Sequence, residues 1–330
     1  MTQEAPGKHF RQGLDFLEFT EMFPTEDSAE TWFESQLWSR GRRCPHCGSD
    51  QTFECTNQSL PYRCQSCWGR FSVRTGSLMH GSPLPYRKWL WAVYLHMTSL
   101  KGVSSMKLHR DIGVTQKTAW FMLQRIREAF RPHHDSRPPM QGPVEVDETY
   151  MGGKRKNMTK SKREAMTGRG GVGKAVVVGA KDRETNEVRA EVVRSTDART
   201  LIPFVSMVAA RGASVYTDDA SAYRGLAGDY THASVNHSKG EYVRRDVHTN
   251  GIESFWAMFK RAHKGVYHKF SRKHLDRYVT DFSGRHNVRR RDTLNQMRIL
   301  VRGMAGRTLP YKALIADNGL WSGANGGVRA

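Results

Sequence analysis

Cys44, Cys47, Cys64 and Cys67 follow the pattern C-x2-C-x16-C-x2-C, and few local folds are compatible with it. Two such pairs, each in a tight turn (Cys44-Pro45-His46-Cys47-Gly48 and Cys64-Gln65-Ser66-Cys67-Trp68-Gly69), can bring four thiolates to one tetrahedral metal. The residues between them, Gln51 to Cys55 and Pro61 to Arg63, read as ribbon strands. A redox dithiol is the rival, but two matched knuckles favour metal. The expectation is a zinc ribbon over residues 39–76, after a helical segment over 1–38. A closed four-thiolate shell leaves no open position, so this Zn²⁺ is structural. The fifth cysteine, Cys55, reads as a small buried filler, and His46 is not counted as a ligand. Arg42, Arg43, Arg63, Trp68, Arg70, Phe71 and Arg74 make the surroundings basic and aromatic. Such a rim either touches a phosphate backbone, with Arg70 and Arg74 the candidate contacts, or is a solvated edge with aromatic packing.

Residues 84–132 carry a helical pattern. Trp89, Leu90, Val93, Tyr94 and Met97 share helical spacing between Pro85 and Leu100. A short helix over Ser104–Arg110 follows, then a turn at Asp111-Ile112-Gly113-Val114 with Gly113 suited to a left-handed conformation. Thr115 is a suitable N-cap for a longer helix, Gln116–Phe130. Short helix, glycine turn and longer helix are the elements of a DNA-reading helix-turn-helix, with Gln116 and Lys117 facing the groove and Trp120, Leu123 and Ile126 facing the core. An ordinary helical hairpin has the same outline. His133 to Pro139 has linker composition.

Charge narrows the function classes. Lys and Arg outnumber Asp and Glu by 52 to 32, giving a net charge of +20 spread through 330 residues. That field attracts polyanions. The longest apolar stretch, Trp89 to Met97, contains His96 and falls well short of the ~20 residues a membrane span needs. Met1 to Arg11 is polar and lacks a signal-peptide centre. The expected location is the cytoplasm, associated with the nucleoid.

Against this basic background, three segments concentrate acid: V-E-V-D-E-T-Y from Val144, Y-T-D-D from Tyr216, and H-T-N-G-I-E-S-F-W-A-M-F-K-R from His248. The order after Val144 reads as strands Val144–Tyr150, Ala175–Ala180 and Val188–Val193, helix Ala198–Ala210, and strand Ser214–Thr217. A short strand near Ala233–Asn236 and a helix from Gly251 complete it. This predicts a mixed sheet with helices on its faces, the element order of a ribonuclease-H-like α/β domain, over residues 141–300. Carboxylates brought from two strands and a helix are how proteins hold paired Mg²⁺ ions. Asp218 ends its strand, with Asp219 the lesser rival.

With the zinc ribbon upstream, these three motifs resemble the bacterial insertion-sequence transposases that have an ISXO-type DDE catalytic domain. The resemblance runs from about Arg42 to Gln296, and its last motif is the most specific part. It implies a ribonuclease-H-like domain that uses Mg²⁺, or Mn²⁺, to cut at terminal inverted repeats and transfer the ends into target DNA. It also implies that Asp147, Asp218 and Glu253 are the metal-binding carboxylates and Lys260 an accompanying lysine, with Asn250 the alternative at the third position. Joining two DNA ends implies at least a homodimer on DNA. The expected rivals are a DNA-binding regulator on an inactive scaffold, and a nuclease without strand transfer.

The third motif can also be read on its own geometry. Ile252, Phe255, Trp256 and Phe259 form one helical stripe, and Glu253, Ala257 and Lys260 a neighbouring one. Equally, Asn250 as N-cap with Glu253 at N3 fits a capping box. Gly168 to Ala175 nearly spells a P-loop, but Ala175 stands where Ser or Thr is required and a strand follows instead of a helix. Gly152 to Lys174 reads as a basic arm, with Lys154, Arg155 and Lys156 its candidate DNA contacts. Arg261 to Arg291 reads as a helix covering the sheet with a basic outer face. Residues 301–330 lose periodicity after Gly303 and are expected to form a tail with little order.

Overall fold

The computed structural model describes residues 11–56, 59–131, 137–153, 157–164, 171–218, 220–235 and 243–320. The chain divides into two compact units, one of residues 1–132 with 288–317, the other of residues 133–287 with 318–330.

The first unit opens with α1 (Phe16–Met22) and α2 (Glu26–Leu37). Each starts on a reciprocal capping box, Asp15 with Glu18 and Thr25 with Ser28. Strands β1 (Thr52–Glu54), β2 (Tyr62–Cys64) and β3 (Arg70–Phe71) form a small antiparallel sheet, β3 being a strand the spacing did not predict. Its core of Cys44, Tyr62, Cys64 and Phe71 packs on Trp38, and the Tyr62 hydroxyl donates to Glu34 of α2 at 2.6 Å. Helices α3 (Tyr86–Thr98), α4 (Ser105–Ile112) and α5 (Gln116–Glu128) follow. Gly113 closes α4 in the left-handed conformation at φ 61°, and the Thr115 hydroxyl caps α5 by accepting from the Thr118 amide at 3.1 Å. Both features were legible in the residue types.

The second unit is a five-stranded mixed sheet of β4 (Val144–Met151), β5 (Ala175–Asp182), β6 (Val188–Val193), β7 (Ser214–Asp218) and β8 (Thr231–Val235). The spatial order is β6-β5-β4-β7-β8; β4, β5 and β6 pair antiparallel, whereas β4 with β7 and β7 with β8 pair parallel. A short helix α6 (Lys160–Glu164) lies between β4 and β5, where a basic arm was expected. One sheet face, carrying Val144, Val146, Val178, Ala180 and Val215, packs on Leu201, Phe204, Val205 and Val208 of α7 (Ala198–Val208). The opposite face packs on α8 (Asn250–Ala262) through Ile252, Phe255, Trp256 and Phe259. Leu275, Tyr278, Val279 and Phe282 of α9 (Arg272–Val288) join that second cluster. The basic outer face expected there is reduced: Arg285 is buried and its Nε donates to buried Asp281 at 3.3 Å.

The boundary expected at residue 300 falls instead at 287/288, and the predicted tail has structure. Residues 288–317 return to the first unit, where α10 (Thr293–Arg302), α11 (Tyr311–Ile315) and the residues between them supply Met297, Leu300, Val301, Met304, Leu309 and Leu314 to the core that holds Phe19, Phe33, Trp89 and Leu123. The apolar residues after Gly303 are too widely spaced for a periodic signal, but Met304, Leu309 and Leu314 are buried, while Ile315 and Leu320 stay exposed.

Candidate active site and metal centres

Strand pairing places the acidic residues. Val144 pairs with Val215 and Glu145 with Tyr216, so the same offset carried to Asp147 sets it level with Asp218 on the neighbouring parallel strand. Alternation along the strands turns both toward the face covered by α8. On α8, Glu253 is half-buried beside the fully buried stripe, as helical spacing predicts. The carboxyl of Asp147 is pushed up to about 7, first by burial and then by the negative charges of Glu148, Asp218 and Glu253. Glu148 is raised to about 7 by burial, with Asp218 adding to the effect and the Tyr223 hydroxyl, which donates to Glu148, opposing it. Four carboxylates therefore share one electrostatic environment. Glu148 was not among the expected site residues; only its adjacency to Asp147 hinted at it.

The capping-box reading of Asn250 and Glu253 is not what forms. The N-cap is Thr249, without a side-chain cap, and its hydroxyl instead donates to Glu253 Oε1 at 2.7 Å. The helix's open amide at Ile252 donates to Glu145 Oε2 at 2.8 Å. Glu145, two residues before Asp147 on the same sheet face, is almost wholly buried, and its other oxygen accepts from Arg183 Nε at 2.7 Å. Val144 and Val146 alternate with Glu145 and Asp147, so the two acids share one face of β4. That face meets α8.

The four cysteines of the first unit are brought together as their spacing requires. Their sulfurs all lie within 4.8 Å of one another, with Cys44 to Cys67 and Cys47 to Cys64 at 3.6 Å. About 3.8 Å separates sulfurs on a tetrahedral zinc, so the pocket fits that ion. The Cys64 thiol is pulled down to about 6, chiefly by the Cys67 backbone amide. Among the described residues this is the one Cys, His, Asp and Glu group drawn together that closely; the carboxylates of the second unit stand further apart.

Residues 139–287, nearly all of the second unit, match the family model of the ISXO2-like transposase domain. Over 283 residues the protein is 29% identical to an uncharacterized protein in transposable element ISH50 of Halobacterium salinarum, covering 82% of this chain and 93% of that one. The matched span contains Asp147, Asp218, Glu253 and Lys260, while the cysteine cluster lies outside it. No helix among the described residues is long and apolar enough to cross a membrane.

The remaining expected contacts divide. In the second unit Lys260 is exposed, two turns beyond Glu253 on the same stripe of α8. Lys154, Arg155 and Lys156, and the rival Asp219, lie outside the described residues. In the first unit Gln116 and Lys117 are exposed at the start of α5. Gln116 donates to Ser105 Oγ at 2.8 Å, and Lys117 Nζ sits 4.8 Å from the centre of the Tyr311 ring. Arg70 is exposed on β3. Arg74 is half-buried: its guanidinium lies 3.8 Å from the centre of the Tyr86 ring and donates to the Ser82 carbonyl at 2.7 Å, which ties it to its own unit. Sequence could not separate these two arginines, because only the third dimension distinguishes an inward from an outward guanidinium.

Proposed function

We propose that this protein is the DNA transposase of an insertion sequence, which binds the element's terminal inverted repeats, cuts at them and transfers the ends into target DNA. The observation that carries the reading is the parallel register of β4 on β7, Val144 with Val215 and Glu145 with Tyr216, whose offset sets Asp147 level with Asp218 beneath the helix bearing Glu253. The occurrence of a relative in a transposable element supports it. On this reading the mixed sheet is ribonuclease-H-like, and α4, the Gly113 turn and α5 are a helix-turn-helix that presents Gln116 and Lys117 to DNA.

Asp147, Asp218 and Glu253 would hold the catalytic ions. Their donor set fits: oxygen ligands alone, from three elements, with mutual repulsion that a cation relieves. When bound, a pair of Mg²⁺ ions would activate the attacking water or 3′-hydroxyl and stabilise the leaving oxygen. The protein contributes the fixed spacing of the carboxylates, which the sheet register sets on one side and α8 on the other. Lys260 would hold the DNA backbone near them. The four cysteines would hold a structural Zn²⁺ that folds the ribbon, with Arg70 on its rim reaching phosphate. Two DNA ends processed together call for two or more copies of the chain.

The test is a cleavage and strand-transfer assay on labelled DNA carrying the flanking inverted repeats, with Mg²⁺, with EDTA, and with Asp147→Asn. Metal-dependent nicking at the repeat end plus joined product, both lost in the variant while repeat binding persists, is the expected result. Tight binding with no cleavage in any divalent metal would make the protein a regulator, and cutting without joining a nuclease.

A further inference from the structure

Between the strand of Asp147 and the helix of Glu253 lies a buried ionic clamp whose members are not metal ligands in the reading above. Glu145 is 1% exposed. One of its oxygens accepts from Arg183 Nε at 2.7 Å, and the other accepts from the Ile252 amide at 2.8 Å in the first turn of α8. A carboxylate there also meets the positive end of the helix. Arg183, from the segment after β5, spends its remaining donors on the approach to α8: one Nη donates to the Asp246 carbonyl at 2.6 Å and the other to the His248 carbonyl at 2.7 Å. His248 Nδ1 lies 3.3 Å from the same Glu145 oxygen that accepts from Arg183. Lys181, paired with Glu145 across the strands, donates to the Gly251 carbonyl at 3.3 Å.

The approach depends on a glycine. A Cβ at Gly251 would lie 2.6 Å from Glu145 Oε2 and 2.9 Å from Lys181 Nζ, closer than a carbon tolerates. Here the glycine is required for proximity, since its φ is not in the left-handed region.

We propose that Glu145, Arg183 and Gly251 are positioning residues that set the separation between Asp147 and Glu253, and so the geometry of the catalytic metal site. The inference rests on the metal-site reading above. Glu145 and Asp147 are two residues apart on one strand face, and Ile252 directly precedes Glu253 on the helix, so the bond from the Ile252 amide to Glu145 fixes the two outer carboxylates relative to each other. A buried ion pair is a weak source of net stability, because desolvation offsets most of its attraction. Its value lies in direction: Glu145 can meet both Arg183 and the Ile252 amide only when α8 starts at one place over β4. Outer-shell residues of this kind typically tune metal affinity by about 10–100-fold.

Two variants of the full-length, zinc-loaded protein test it. Glu145→Gln keeps an acceptor for the Ile252 amide but loses the charge facing Arg183. Gly251→Ala removes no charge and pushes the helix off the strand. The first readout is Mn²⁺ binding, followed by electron paramagnetic resonance of the free ion, alongside thermal melting. The second is the Mg²⁺ concentration for half-maximal cleavage, with Glu253→Gln as reference. The expected result is about 10–100-fold weaker Mn²⁺ binding and a matching rise in the Mg²⁺ requirement in both variants. High Mn²⁺ should restore cleavage to both but not to Glu253→Gln. If either variant folds and binds Mn²⁺ as the unaltered protein does, the clamp is structural only and the proposal falls alone. If the unaltered protein binds no Mn²⁺ beyond what Glu253→Gln binds, the metal-site reading falls with it.

Discussion

Gly179 and Trp256 fit together across the interface between sheet and helix: a Cβ on Gly179 would stand 2.6 Å from Trp256 Cζ2. Gly179 is also the cross-strand partner of Asp147. The missing side chain lets the indole approach β5 closely and brings α8 down beside the acidic strand. Gly179→Ala should therefore cost about 1–3 kcal/mol by overpacking and reduce metal-dependent cleavage more than repeat binding. Denaturant unfolding and a gel-shift assay run side by side would check both effects; unchanged stability would show that the indole has room to move.

Zinc should stabilise the first unit alone. Cys64 is fully buried among Tyr62, Phe71 and Trp38, so Cys64→Ser or a strong chelator removes both the metal and the centre of that small core. The expected outcome is loss of the ribbon's amide-exchange protection while the strands β4 to β8 keep theirs. Equal loss in both units would contradict it.

Arg70 and Arg74 should behave oppositely. Arg74→Ala removes a half-buried stacking and hydrogen-bonding group and should destabilise the protein by about 2 kcal/mol. Arg70→Ala should leave stability within about 0.5 kcal/mol and weaken DNA binding, lowering the slope of log K against log salt by about 1. Melting curves and salt-dependent binding isotherms separate the two.

Lys260→Ala makes a similar claim for the second unit. An exposed residue at the end of α8 should be worth under about 0.5 kcal/mol to folding. Cleavage should nevertheless fall, with a shallower salt dependence, if the lysine meets the DNA backbone. Unchanged rate at every ionic strength would remove it from the site.

Truncation after Arg302 should be far more harmful than its place near the chain end suggests. It deletes Met304, Leu309 and Leu314 from the first unit's core, together with the Leu309 carbonyl that accepts from buried Arg125 Nε at 3.1 Å. Gly303→Ala tests the same seam, because a Cβ there would collide with the Ala129 carbonyl. Both should lower the melting temperature of the first unit; a truncated protein that melts like the full chain would show the segment to be dispensable.

What residue order alone determined was whatever depends on neighbours along the chain. The cysteine spacing specified a four-sulfur pocket, because knuckle turns are local. The strands Val144 to Val193, the left-handed Gly113 and the Thr115 cap followed from period, conformational freedom and side-chain chemistry. The buried stripe of α8 followed from 3.6-residue periodicity, which also placed Glu253 and Lys260 on a second stripe.

Tertiary structure decided what depends on partners distant in sequence. That Asp147 stands level with Asp218 is a matter of strand register, and register between parallel strands is set by the packing of whole faces. That Glu145 is a clamp and Arg74 a brace depends on a partner tens of residues away in one case and on an inward-turned side chain in the other. The return of residues 288–317 to the first unit was hidden for the same reason. An apolar residue in an aperiodic segment carries no local sign of burial until the surface that covers it exists.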